Sequence, residues 1–203
     1  MRNLIALLLM LLAGPGAADP AIDRLVAATQ AAFPRAPAVV IGADVSGECG
    51  GGHGKPAIYC TSDNRIYLRA DLTGPAGAYA LAHLYGHGLQ VRYGVADLAL
   101  AAIQADRARE AELRGMVTRQ VECLAGMLVA RAGLDLPPLT VFHTAEPFTG
   151  SHWGRRPVRA GPQVSIGLAA RAEWFARGQA AGHPAVCDVG EMSADLIVAA
   201  DQS

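Results

Sequence analysis

The chain has 203 residues, a formal net charge of −1 and a 52% hydrophobic share that includes 40 alanines, with only four Phe, two Trp and five Tyr to fill a core. That length suits one domain, and 16 Arg with a single Lys, scattered rather than clustered, exclude a nucleic-acid or acidic-membrane partner held by bulk electrostatics. A charged fraction of 17% with a mean hydropathy of +0.24 excludes a disordered chain.

At the start of the chain, Arg2 precedes the apolar run Leu4 to Leu12, and Gly14-Pro15-Gly16-Ala17-Ala18-Asp19 follows. A short basic region, an apolar stretch and small residues form a secretory signal pattern, with cleavage expected after Ala18. The run is roughly half the ~20 residues a membrane span needs. No later stretch is long and apolar enough to span, so residues 19–203 are expected to form a single exported domain, secreted or periplasmic. In an oxidising compartment Cys49, Cys60, Cys123 and Cys187 admit three disulfide pairings. Cys49 and Cys60 flank the flexible loop Gly50-Gly51-Gly52-His53-Gly54-Lys55-Pro56, so Cys49–Cys60 with Cys123–Cys187 is the simplest. The absence of any C-x-x-C pair argues against a zinc site built from the four cysteines.

Ala21 to Ala32 carries Ile22, Leu25, Val26 and Ala28 at helical spacing and stops at Phe33-Pro34. Ala38 to Ile41 and Arg65 to Arg69 read as short strands of a small N-terminal sheet, with the Cys49–Cys60 loop between them. Ala78 to Val91 is helical. A long helical stretch opens at Asp97 as its N-cap and runs towards Arg131, with a break near Gly115, a solvent-facing segment over 106–112 and Gly133 as its stop. Leu134 to Pro162 reads as loop, and Ala169 to Gln179 as a last helix that packs through Trp174 and Phe175. The fold class expected is α+β, predominantly helical.

The helix Ala78 to Val91 carries His83 and His87, four residues apart and therefore on one face, the spacing that lets two imidazoles share a zinc ion. Four ordered segments surround that pair. Tyr59-Cys60 with Asp63 and Ile66-Tyr67-Leu68 form the first, and Ala78-Tyr79 with His83, Gly86, His87 and Gln90 the second. Gln120, Cys123, Ala125 and Gly126 form the third, and Trp174-Phe175 with Gly178 and Cys187-Asp188 the fourth. In order and spacing they resemble the bacterial neutral zinc metallopeptidase family of the H-E-x-x-H type, over roughly residues 38 to 190. The resemblance implies a zincin-like metallopeptidase core, a zinc cofactor and a peptide substrate.

Where the chain departs from that family, chemistry is lost. The Glu after the first His, which serves such enzymes as general base, is Leu84 here, and an aliphatic group can neither accept a proton nor orient water. The resembled third zinc ligand falls on Thr118, whose neutral hydroxyl is a poor ligand beside carboxylate or imidazole. One turn further, the family's Asp is replaced by Glu122, a substitute ligand only if it reaches back about 5.4 Å. Of the family's H-G-T-S-E-Q-R run, Ser165 to Arg171 keeps only Arg171.

These departures lead to the expectation of an inactive metallopeptidase-like domain that binds a protein or peptide and holds zinc weakly or not at all. The alternatives are an active zinc peptidase served by Glu122, Glu110 or Glu112, and a structural envelope protein without metal. Of the remaining histidines, His53, His143, His152 and His183 lie in loops, as does the basic cluster Arg155, Arg156 and Arg159. A serine-hydrolase G-x-S-x-G elbow and a phosphate-binding loop are both absent from the sequence.

Overall fold

The computed structural model describes residues 19–51, 54–150, 153–154 and 162–201. The signal-like segment, His53, His152 and the basic cluster at 155–159 lie outside them.

Helix α1, Pro20–Ala32, opens where Asp19 accepts a hydrogen bond from Ala21 N at 2.8 Å, with Pro20 pre-set for the first turn. It buries Ile22, Leu25 and Thr29. The other carboxylate oxygen of Asp19 accepts from Gly74 N at 2.6 Å, so one side chain ties the start of α1 to the start of α2, Gly74–Arg92.

Strands β1 (Ala38–Gly42), β2 (Ala57–Cys60), β3 (Arg65–Arg69) and β4 (Trp153–Gly154) form one sheet in the order β1-β3-β2-β4. β1 runs parallel to β3, β2 antiparallel to β3 and β4 parallel to β2. β1 and β3 stand where expected. β2 is buried at all four positions, so its sequence carries no alternation between apolar and polar residues to reveal it.

Three further helices complete the core: α3 (Val95–Ala105), α4 (Glu110–Arg131) and α6 (Leu168–Ala181), with the single turn α5 (Leu139–Phe142) before α6 and α7 (Asp195–Asp201) after it. The stretch expected as one helix from Asp97 is two. α3 begins at Val95 behind Gly94, and the chain breaks at Asp106, whose side chain accepts from Ala108 N at 3.0 Å and caps the turn leading into α4. Gly115 lies inside α4 and breaks nothing. The segment expected as loop from Leu134 contains α5 and β4, and α7 was not foreseen at all. The described residues include no helix long and apolar enough to cross a membrane.

α2 is the central element. Every residue from Gly77 to Gln90 is buried, so the helix has no solvent face and little amphipathic signature. α4 packs most extensively on α6 and next on α2. Glycines permit these approaches: a Cβ at Gly86 would stand 2.9 Å from the Val121 carbonyl oxygen of α4. At Gly126 it would collide with the Phe175 carbonyl, and at Gly178 with the Cys123 carbonyl. The disulfide Cys123–Cys187 ties α4 to the turn that follows α6, and Cys49–Cys60 ties the loop after β1 to the end of β2, the simplest pairing expected.

Gly126→Ala and Gly178→Ala are each expected to destabilise the fold by about 1–3 kcal/mol or more, because backbone rather than a movable side chain blocks the added methyl. Gly115→Ala meets the far end of Arg119 and reaches Ile166 at ordinary contact distance, and should be neutral or stabilising by about 0.5–1 kcal/mol. Chemical denaturation of the three variants measures the difference.

Candidate functional site

His83 and His87 project from one face of α2, their ring centroids 5.0 Å apart and their planes nearly perpendicular. The predicted pair therefore exists, but with almost no exposure to solvent. His83 has no exposure and His87 has 8%. Phe148, held at φ 57° in the loop after α5, stacks on His83 with centroids 4.5 Å apart. Burial disfavours the imidazolium, so both imidazoles titrate below the usual histidine value, His87 well below; for His83 the attraction of Glu122 offsets part of the burial effect.

Glu122, on α4, lies under this pair without exposure. Its Oε1 is 3.1 Å from His83 Nδ1 and also accepts a hydrogen bond from Arg171 Nη1, while Oε2 accepts one from the Tyr79 hydroxyl at 2.9 Å. Burial alone would raise its pKa. The attractions of His83 and Arg171 outweigh burial and hold the carboxyl below its ordinary value. Burial and the neighbouring Glu122 charge push the Tyr79 hydroxyl well above its usual range, so it donates as a neutral phenol.

Arg171, on α6, is fully buried and serves two carboxylates. It meets Glu122 through Nη1 and Glu146 Oε1 through Nε at 2.8 Å, and its Nη2 reaches the Phe148 carbonyl at 3.4 Å. Glu146 in turn accepts from Ile166 N at 2.8 Å and from the Ser165 hydroxyl, which fixes the segment leading into α6. The geometry is that of a buried ionic cluster in which every charge has a partner, the condition under which buried charges are tolerated.

The remaining predicted positions are accounted for individually. Leu84 is fully buried in the main hydrophobic cluster, so the general-base position points into the core. The Thr118 hydroxyl donates to the Arg114 carbonyl of its own helix at 2.9 Å. Thr118 and His87 share a cleft between α2, α3 and α4, which the sequence did not reveal. Glu110 and Glu112 are paired with Arg114 and Arg109 on the surface. His143 lies 5.4 Å from the Tyr79 ring and 4.8 Å from that of Phe142, and His183 is exposed.

Other residues that carry the family resemblance have mechanical tasks. Gln90 Nε2 donates to the Val117 carbonyl at 3.1 Å and to Gln120 Oε1 at 2.8 Å, and Gln120 passes the chain on to the Met192 carbonyl at 3.0 Å. Asp63 accepts from the Tyr67 hydroxyl at 2.8 Å, and Asp188 from Ala194 N at 2.6 Å.

A catalytic zinc site takes three protein ligands and keeps an open position. Two imidazoles are present, but Thr118 directs its proton to backbone, and the Arg171 guanidinium, the Tyr79 hydroxyl and the His83 ring already crowd the Glu122 carboxylate. Among the described residues no three His, Cys, Asp or Glu side chains gather to hold a metal ion. The donor set therefore does not fit a three-ligand zinc centre. Comparison with protein-family models, with curated proteins and with solved structures gives no match to this chain.

Removing one side of the ionic cluster should be costly. Arg171→Met leaves two carboxylates unpaired, and a loss of about 3–5 kcal/mol is expected, part of it recovered in the double variant Arg171→Met, Glu122→Gln. A pH dependence follows as well. The unfolded chain protonates His83 and His87 near 6.5, whereas the folded chain resists until lower pH. Stability should therefore fall as pH drops below about 6.5, by up to ~1.4 kcal/mol per pH unit for each imidazole. Glu122 and Glu146 add a second loss only at lower pH, as it falls past the unfolded value of 4.5 and through their lower folded values. Denaturation midpoints across this range check both steps, and a flat profile down to about pH 5 would contradict the first.

Proposed function

We propose that the chain is an exported, zincin-like domain of neutral zinc metallopeptidase descent that does not hydrolyse peptides and acts by binding a protein or peptide. One observation supports this reading above the others: the residues that carry the resemblance divide by task. Gly86, Gly126, Gly178, Gln90, Gln120, Cys123 and Cys187 are present where the helices meet, and each holds one element against another. Leu84 and Thr118 occupy the two positions that would supply a proton acceptor and a third ligand, and neither has the chemistry.

Glu122 does not restore the missing function. Its carboxylate already accepts from Arg171 and Tyr79 and stands 3.1 Å from the His83 ring, so using it as a base or ligand would cost the buried guanidinium one of its two carboxylate partners. Export is supported by the signal-like start of the chain and by two disulfides, which persist in oxidising compartments.

The protein purified without chelator should carry far less than one zinc per chain and cleave no peptide from a mixed library. Stoichiometric zinc with chelator-sensitive turnover would overturn the reading. Thr118→Glu restores an acid beside His87 on the cleft wall and should bind zinc more tightly than the native chain; no gain would contradict the zincin-like register.

A further inference from the structure

β1 is an end strand of the sheet, and among the described residues no strand lies beyond it. Its inner side is fixed by the ladder to β3. Ala38 N donates to the Asn64 carbonyl at 3.1 Å and Ala70 N to the Gly42 carbonyl at 2.9 Å, so Ala38, Val40 and Gly42 turn their main-chain groups towards β3. Alternate residues of a strand direct these groups to opposite sides, which leaves the N–H and C=O of Val39 and Ile41 aimed away from the sheet. We propose that β1 pairs antiparallel with β1 of a second copy of this chain, about a two-fold axis at Val40. The proposal stands on main-chain geometry and charge order and is independent of the binding reading above.

Nothing along the edge opposes such pairing. Exposed edges are ordinarily protected by a charge, a proline or a bulge. From Ala36 to Ala43 the chain carries no charge, and the one proline of that run, Pro37, stands before the strand and packs on Gly88 of α2. Val40 is 39% exposed and Ile41 45%, and both are residue types that favour strand pairing.

The charges at the two ends choose the partner and the direction. Arg35 precedes the uncharged run and Asp44 follows it. A strand with a cation before it and an anion after it meets opposite charge at both ends when an identical strand runs the other way. With Val40 opposite its own counterpart, Asp44 falls opposite Ala36 of the second copy, next to Arg35. In the parallel alternative Arg35 would face Arg35. The Arg35 side chain donates to the Arg92 carbonyl and lies 5.0 Å from the Tyr93 ring centroid, contacts that leave its charge uncompensated. Asp44 is held in place by Ser46, whose N–H and hydroxyl donate to its two oxygens at 2.8 and 3.0 Å.

The same register sets Val39 against Ile41 and Ile41 against Val39, and each of these pairs exchanges two main-chain hydrogen bonds. An axis at Val39 would set Ile41 against Pro37, which has no N–H to give. An axis at Ile41 would place Asp44 three residues from Arg35 instead of one. The strand engages five residues a side, far fewer than the roughly 20–30 of a standard interface, so the dimer is weak and forms at high protein concentration.

Analytical ultracentrifugation of the purified chain should show a reversible monomer–dimer equilibrium with a Kd on the order of 100 µM. Val40→Lys and Val40→Glu each set like charges against one another at the axis, and each should weaken association at least about tenfold. An equimolar mixture of the two variants should recover the dimer, because Lys then faces Glu. Val40→Cys reads the register separately. Cα atoms of a non-hydrogen-bonded antiparallel pair stand about 4.5 Å apart, within disulfide reach, so oxidation should link two copies. Ile41→Cys should not link them, because Ile41 would lie roughly 7–8 Å from its counterpart. An unfolding midpoint at low concentration equal to that of the native chain shows that a variant is folded. A native chain that stays monomeric at about 1 mM would overturn the proposal and leave the edge to a strand of another protein. A dimer that a folded Val40→Lys leaves intact, a mixture that stays monomeric, or equal cross-linking through Val40→Cys and Ile41→Cys would overturn it as well.

Discussion

A carboxylate without exposure, packed where α2, α4 and α6 meet, stays ionised only while a cation stands against it, and in this fold that cation is Arg171. The pair imposes geometry on everything around it. α6 must approach α4 closely enough for the guanidinium to arrive, which is what Gly126 and Gly178 permit and any larger residue would prevent. Glu146 must close over the other side of Arg171, and in doing so it sets the path of the chain into α6. Tyr79 and His83 complete the shell from α2. An ionic cluster of this kind adds little to stability when compared with well-packed apolar groups, but once built it penalises every arrangement in which one partner is missing.

On the proposed descent, the same cluster explains how a metallopeptidase-like framework persists beside an altered centre. The two imidazoles are held by packing, by Phe148 stacked on His83 and by the buried surface of α2. Leu84 joins the hydrophobic core, where a carboxylate would be stranded. Thr118 turns its hydroxyl onto its own helix and leaves a neutral wall beside His87. The result is a cleft with aliphatic sides where the family's pattern would place reactive groups.

Much of this was readable from residues alone, for identifiable reasons. α1 is half-buried, and half-burial writes a period into its sequence, whereas β1 and β3 stand out as short runs rich in Val, Ile, Leu and Tyr. An expected oxidising compartment and the Gly-rich loop between Cys49 and Cys60 point to the pairings that form. β2 and the second half of α4 are buried on all sides, so periodicity marks neither a strand nor a core-facing stripe. The Asp106 break depends on a side-chain cap that competes with helix continuation, and the pattern of apolar residues on either side runs straight through it. The partners of Glu122 were hidden by distance along the chain: Tyr79 lies 43 residues before it and Arg171 49 after it. Arg171 alone had left a trace, as the one residue kept from an otherwise altered run. Glu146 had none, because a loop acid without periodic neighbours looks like any solvated acid.

The central claim is that Glu122 is spent on the fold and unavailable to a metal. The most direct measurement is the thermal unfolding midpoint of the purified chain in excess zinc and in excess chelator. If Arg171, Tyr79 and His83 already satisfy Glu122, the two midpoints coincide, since a ligand stabilises only what it binds in the native state. A midpoint raised by zinc in the native chain, and no longer raised in Glu122→Gln, would contradict the account.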